Sequence, residues 1–113
     1  MHEYSLIQSL VERVEAEAAA RSASAVHRLS VRIGEHAGVD VDLFKTAYYT
    51  FRERTVCEHA ALDVVMVPVE WACRGCGRRI EPGRPLQCPE CLTPATLIAG
   101  DEIILDRIEL EVA

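Results

Sequence analysis

The chain has 113 residues, 50% hydrophobic and 27% charged, with a formal net charge of −6, which describes one small folded unit with room for a satellite rather than a disordered chain. No apolar run approaches the ~18 residues that a membrane-spanning helix needs, and Glu3, Glu12, Glu15 and Glu17 near the start exclude a secretory signal. The acidic balance argues against general nucleic-acid binding, which depends on cations that neutralise phosphates.

Residues 4–20 place Leu6, Ile7, Leu10, Val11, Val14 and Ala18 at a three-to-four spacing with glutamates opposite, which predicts an amphipathic helix. Residues 21–25 read as a polar break. Leu29, Val31 and Ile33 then alternate with Arg28, Ser30 and Arg32, a half-buried strand ending at Gly34. Asp40 or Asp42 caps a second helix whose Phe44, Ala47, Tyr48 and Phe51 share a face. Residues 62–70 read as a β-branched strand that is an edge, or ends, at Pro68, because proline cannot donate to a ladder. A Gly- and Pro-rich segment follows. After Gly100, residues 102–112 alternate through Ile108, Leu110 and Val112 as a closing strand.

This order predicts an α+β fold: two helices packed on a small three-stranded sheet, with a four-cysteine zinc-binding loop inserted between two strands. The expected division is 1–70 with 100–113 as one domain and 71–99 as the inserted one. Residues 71–99 hold few large apolar side chains, so a structural metal would supply what a core cannot.

The strongest chemical signal lies in that insertion. Cys73-Arg74-Gly75-Cys76 and Cys88-Pro89-Glu90-Cys91 are two pairs with eleven residues between them. Two residues between thiolates let both sulfurs reach one metal at about 2.3 Å, and two such pairs complete a tetrahedral zinc shell. The shell is closed, the loop contains no histidine, and neither pair opens a helix, so a hydrolytic or redox site is not expected. Absence of a signal sequence favours metal over disulfides. Arg74, Arg78, Arg79 and Arg84 face only Glu81 and Glu90 within 71–99, a small cationic surplus that is either solvated or turned toward an acidic partner.

The second constellation is Met1-His2-Glu3. A free α-amine, the deprotonated His2 amide and the His2 imidazole form fused chelate rings with three coplanar nitrogens. The Glu3 amide or carboxylate can complete a square, the geometry that favours Ni(II) or Cu(II) over zinc. A bulky residue after Met blocks initiator removal, so the amine stays. The plainer reading makes His2 an exposed residue and Glu3 a favourable anion at a helix start. His27, His36 and His59 read as surface or packing residues, Cys57 as a small buried hydrophobe, and Trp71 as a packing residue at the base of the loop. There is no phosphate loop, no Ser/His/Asp pattern and no isolated pair of carboxylates, so no enzyme is expected.

The chain resembles the hydrogenase maturation nickel metallochaperones, the HypA/HybF family, over nearly its whole length. The resemblance rests on Met1-His2-Glu3 with Ser5-Leu6 and Gln8-Ser9-Leu10-Val11, on Val31-Arg32-Ile33-Gly34 with Gly38-Val39, on the cysteine pairs, and on Gly100-Asp101-Glu102. It implies delivery of Ni(II) to a [NiFe] hydrogenase precursor, with Met1, His2 and Glu3 at the nickel and Cys73, Cys76, Cys88 and Cys91 around a structural zinc. The implied partners are a nickel-handling maturation GTPase, the hydrogenase large-subunit precursor and, for some members, urease maturation proteins. Neither nucleic acid nor membrane is implied, and the expected location is cytoplasmic. Three positions depart from the family pattern: Tyr4, where Leu or Trp is common; Leu92, where a glycine often follows the last cysteine; and His36, more often apolar, which is an accessory ligand or nothing. Two readings from other classes compete with the chaperone. One is a zinc-ribbon nucleic-acid module using the loop arginines; the other is a zinc-stabilised protein-protein adaptor with no nickel role.

Overall fold

A computed structural model describes residues 2–112. In chain order the elements are α1 (His2–Ala20), β1 (Ala23–Gly34), α2 (Val41–Phe51), β2 (Ala61–Val67), β3 (Glu70–Cys73), β4 (Arg79–Ile80), β5 (Ala95–Ala99) and β6 (Ile103–Val112). One three-stranded sheet has the order β2-β1-β6, and a second has the order β4-β3-β5. In the first, β1 pairs parallel with β2 and antiparallel with β6. The fold is α+β, as expected.

Ile7, Val11, Val14 and Ala18 of α1 are buried and meet Phe44, Ala47 and Tyr48 of α2 over Val26, Leu29, Val31 and Ile33 of β1. Each apolar position of α1 follows the last by three or four residues, so the stripe stays on one side of the helix. The helix stops where Ser22 enters the left-handed region at φ 53°. In α2 the cap is Asp40, whose Oδ1 accepts from the Leu43 amide at 3.1 Å. The Tyr48 hydroxyl donates to the Ala60 carbonyl at 2.9 Å, so the largest buried side chain has its polar tip satisfied.

Four sequence expectations are corrected, and the break expected at Pro68 is found. α1 begins at His2 rather than at residue 4, so His2 and Glu3 lie inside its first turn. β1 begins at Ala23 rather than after a polar break, because β6 runs alongside it as far as the Ala23–Val112 pair. Val112 alternates correctly in sequence, yet at the sheet's end it is 57% exposed. The cysteine segment is not loop alone: β3, β4 and β5 form its own antiparallel sheet. The strand expected over 62–70 divides at Pro68, with β2 on the sheet edge ending at Val67 and β3 starting at Glu70.

The two sheets meet at the end of β1. Gly34 donates to the Glu102 carbonyl (2.8 Å), Glu35 to Val67 (2.8 Å) and His36 to Gly100 (2.7 Å). The Glu35 carboxylate accepts from the Val69 amide at 3.1 Å. A Cβ at Gly34 would sit 2.2 Å from the Gly100 carbonyl, so only glycine admits this crossing.

Candidate metal centres

The two cysteine pairs are built alike. Cys73 ends β3, donates its amide to the Arg78 carbonyl (2.7 Å) and accepts from Gly77 (2.9 Å). Cys88 donates to Thr93 (3.0 Å) and accepts from Leu92 (2.9 Å). In both, the residue after the second cysteine takes a left-handed backbone: Gly77 at φ 76° and Leu92 at φ 56°. The departure at Leu92 therefore leaves the turn's closure unchanged and puts a γ-branched residue where glycine is less strained.

These turns point amides at sulfur. Gly75 and Cys76 donate to Cys73 Sγ (3.3 and 3.5 Å), and Cys91 donates to Cys88 Sγ (3.4 Å). All four Sγ atoms lie within 4.8 Å of one another, and none is in a disulfide. Cys76 and Cys88 are 3.8 Å apart, the edge length expected of a tetrahedron with about 2.3 Å from metal to sulfur. Cys73 and Cys88 are buried while Cys76 and Cys91 are exposed, so the cluster sits at the surface of the second sheet. The Thr93 hydroxyl, followed by backbone amides, draws the Cys73 thiol down to about 6, whereas hydrogen bonding with Cys76 and then Cys73 and Cys88 pushes Cys91 up to about 12. Protons and charge are thus shared unevenly between Cys73 and Cys91. A divalent cation would let all four be thiolates together. The donor set fits zinc in a closed structural site, and among the described residues no histidine belongs to the cluster.

The amino-terminal constellation is partly placed. Met1 lies outside the described residues. The His2 side chain is 58% exposed, with Nδ1 3.9 Å from Glu3 Oε2. Glu3 is buried, the only polar side chain in the buried set among the described residues. Its Oε2 accepts from the Asp40 amide at 3.2 Å. Helix geometry leaves the first amides of α1 without carbonyl partners, so the His2 and Glu3 nitrogens are free of the ladder. The carboxylate lies near two helix starts, its own and that of α2, where negative charge is favourable.

Sequence reading offered Asp40 or Asp42 as the cap and missed the place of Asp40 beside Glu3. The two are 37 positions apart, and no local pattern links them. His36, which sequence left as an accessory ligand or nothing, packs edge-on against Trp71 with ring centroids 6.4 Å apart. Neither it nor the exposed His59, 3.6 Å from Glu58, joins the thiol cluster. Cys57 is fully buried, as expected, and burial pushes its thiol up to about 11.

A family model described as "Hydrogenase/urease nickel incorporation, metallochaperone, hypA" matches residues 1–110. The chain belongs to the HypA family. It is 35% identical to the hydrogenase maturation factor HypA of Shewanella halifaxensis, with all of both chains covered. It is 34% identical to the HypA of Helicobacter hepaticus over 99% of this chain and 98% of that one. The solution structure of the Ni metallochaperone HypA from Helicobacter pylori superimposes with a TM-score of 0.75 at 33% identity, covering 98% of each chain. A second HypA solution structure gives 0.83 at 34% identity, covering 100% of this chain and 98% of that one. As a HypA-family member the chain is a nickel metallochaperone, a maturation factor whose four-cysteine cluster fits structural zinc and whose cargo is nickel. Family membership separates it from the nucleic-acid module and the nickel-free adaptor.

Proposed function

We propose that this chain binds Ni(II) through Met1, His2 and Glu3 and delivers it to a [NiFe] hydrogenase large-subunit precursor. Cys73, Cys76, Cys88 and Cys91 hold zinc permanently and carry no cargo. The reading rests on one arrangement. The cysteines are sufficient among themselves for a closed shell, whereas His2 is exposed at the start of α1 with Glu3 anchored behind it. Amide and imidazole nitrogens in one plane suit Ni(II) better than zinc. Because the Glu3 carboxylate already engages Asp40, a backbone nitrogen is the better candidate to complete the square.

Release needs no catalysis. Protonation of the chelating nitrogens opens the rings, so the metal passes to a site that competes for it. The chain acts outside enzymatic chemistry, in the cytoplasm, with a nickel-handling GTPase and, in urease-containing cells, urease maturation proteins. We assign residues 1–70 with 100–113 to the nickel domain and 71–99 to an inserted zinc domain. The test is Ni(II) titration of the untagged His2→Ala chain, zinc-loaded. Loss of tight nickel binding with zinc unchanged is expected; unchanged nickel affinity sinks the site. Acetylating the Met1 amine should have the same effect, whereas an adaptor would be indifferent to it.

A further inference from the structure

The sheet β2-β1-β6 has two edges, and they are finished differently. On β2 the Leu62 amide donates to the Tyr49 hydroxyl at 3.1 Å, and Pro68 follows the strand's end, so that edge is partly satisfied and then stopped. β6 runs for 10 residues, pairs with β1 alone, and among the described residues has no strand on its other side. An edge of that length leaves amides and carbonyls free to pair with another strand. Its helix-side face is incompletely covered as well. The helices meet over β1, and a groove of about 380 Å³ runs between α1 and β6, with half-buried Leu105, Ile108 and Leu110 on its floor. Charged residues on an edge strand ordinarily keep other strands away. On β6 their order does the opposite for one partner, which is β6 itself.

Directly opposed residues of an antiparallel pair lie on one face of the sheet. Arg107 and Glu109 are exposed on the face away from the helices, where their β1 partners are Ser30 and Arg28. Ile108 lies between them on the helix face, opposite buried Leu29. A two-fold axis through Ile108 therefore sets Arg107 of each copy against Glu109 of the other, and the two Ile108 side chains against each other. The neighbouring registers fail. An axis at Arg107 opposes two arginines, one at Glu109 opposes two glutamates, and one at Leu110 sets Glu109 against Glu111 on both sides. Like charges directly opposite are destabilising. Glu109 is available for the new pair, because Arg28 holds Asp63 at 2.7 Å and Glu109 only at 3.8 Å. We propose that two copies of this chain associate through β6, antiparallel about Ile108, into one six-stranded sheet. Asp106 has no partner on β1 and forms a bulge, so the regular pairing is short and the dimer exchanges with monomer as concentration changes. The two grooves meet at the axis, where Ile108 of the second copy closes the open side of each apolar floor. The interface uses no residue of either metal site and goes beyond the nickel reading.

The test is sedimentation velocity of the untagged, zinc-loaded full chain from about 10 µM to about 1 mM, where a small interface should show a monomer–dimer equilibrium. Arg107→Glu turns both attractions across the axis into repulsions and should weaken dimerisation about tenfold, as should Glu109→Lys. Mixed in equal amounts, these two variants should associate as well as the parent, because every opposed pair is again plus to minus. The double variant Arg107→Glu/Glu109→Lys should dimerise by itself for the same reason, which an axis at Glu109 would not allow. Arg74→Gln, in the cysteine segment, should change nothing, and circular dichroism of each variant checks that it is folded. A chain that stays monomeric to the highest concentration overturns the proposal. So does a dimer indifferent to Arg107→Glu, a mixture of the single variants that remains monomeric, or a dimer that Arg74→Gln dissociates.

Discussion

Glu3 ties the first turn of α1 to the cap of α2, and its replacement separates two roles that one carboxylate could serve. Glu3→Ala removes the acceptor for the Asp40 amide, a bond of 3.2 Å. A hydrogen bond to a charged group contributes about 1.5–3 kcal/mol, and this long one belongs at the low end. A carboxylate at a helix start adds about 0.3–1 kcal/mol, so the alanine variant should lose about 2–2.5 kcal/mol. Glu3→Gln keeps an oxygen of the same reach and loses only the charge, for about 0.5–1 kcal/mol. Against a domain stability of about 5–15 kcal/mol both variants stay folded, and urea unfolding of the zinc-loaded chain reads the difference. In nickel calorimetry the glutamine variant should bind within about threefold of the parent, because a backbone nitrogen rather than the carboxylate completes the square. A glutamine variant that keeps its stability but loses nickel more than about tenfold would make the carboxylate a ligand and refute this reasoning. A glutamine variant as unstable as the alanine one would refute the hydrogen-bond account.

Four further outcomes are expected. Cys73→Ser should lose zinc and the amide cross-peaks of β3, β4 and β5 while those of α1 and β1 persist, read by two-dimensional NMR of the labelled chain. Leu92→Gly should stabilise the zinc-loaded chain by about 1 kcal/mol in thermal unfolding, since it relieves a left-handed leucine that is 69% exposed and gives up little burial. Gly34→Ala should cost more than about 3 kcal/mol, because its Cβ would overlap the Gly100 backbone, which cannot swing aside as a side chain would; an equilibrium unfolding curve close to the parent's would contradict the crossing. Cys57 should resist iodoacetamide in the folded chain and react on denaturation. Its thiol is raised from 9.0 to about 11 by burial, so it favours the fold above the ordinary thiol range less and less: the contribution is whole below pH 9 and fades as pH climbs through 11. Stability rising with pH across that window would reverse the sign.

Helices and core strands were legible because their signals are local. The stripe Ile7-Val11-Val14-Ala18 and the alternation Leu29-Val31-Ile33 each need only one element's period to be read, and both are buried. The four cysteines were legible because two-residue spacing carries its own geometry. What was missed depends on partners distant in sequence. Ala23, Ser24 and Ala25 have weak strand character and become strand only because β6 lies beside them. The Trp71 and Ala72 pairs with Leu97 and Thr96 join residues across two Gly/Pro-rich turns, which hid a small sheet inside an apparent loop. Asp40 beside Glu3 is a contact between two helix starts, invisible to any pattern along the chain. His36, read as a surface or packing residue with an accessory-ligand role left open, packs against Trp71, a partner the sequence did not name.

The crossing at Gly34 also decides how the molecule bears load. β2 leaves the first sheet where Val67 pairs with Gly34, and β6 returns where Ile103 pairs with Ile33. Both strands leading to the cysteine-bearing sheet are therefore anchored at the same end of β1, in a molecule 57 Å long and 28 Å wide. A partner pulling on that sheet along the long axis drags both edge strands in shear against the central one. Every rung of the two ladders then resists at once, instead of opening one after another as in a peeled hairpin. The joint transmits a tug without yielding.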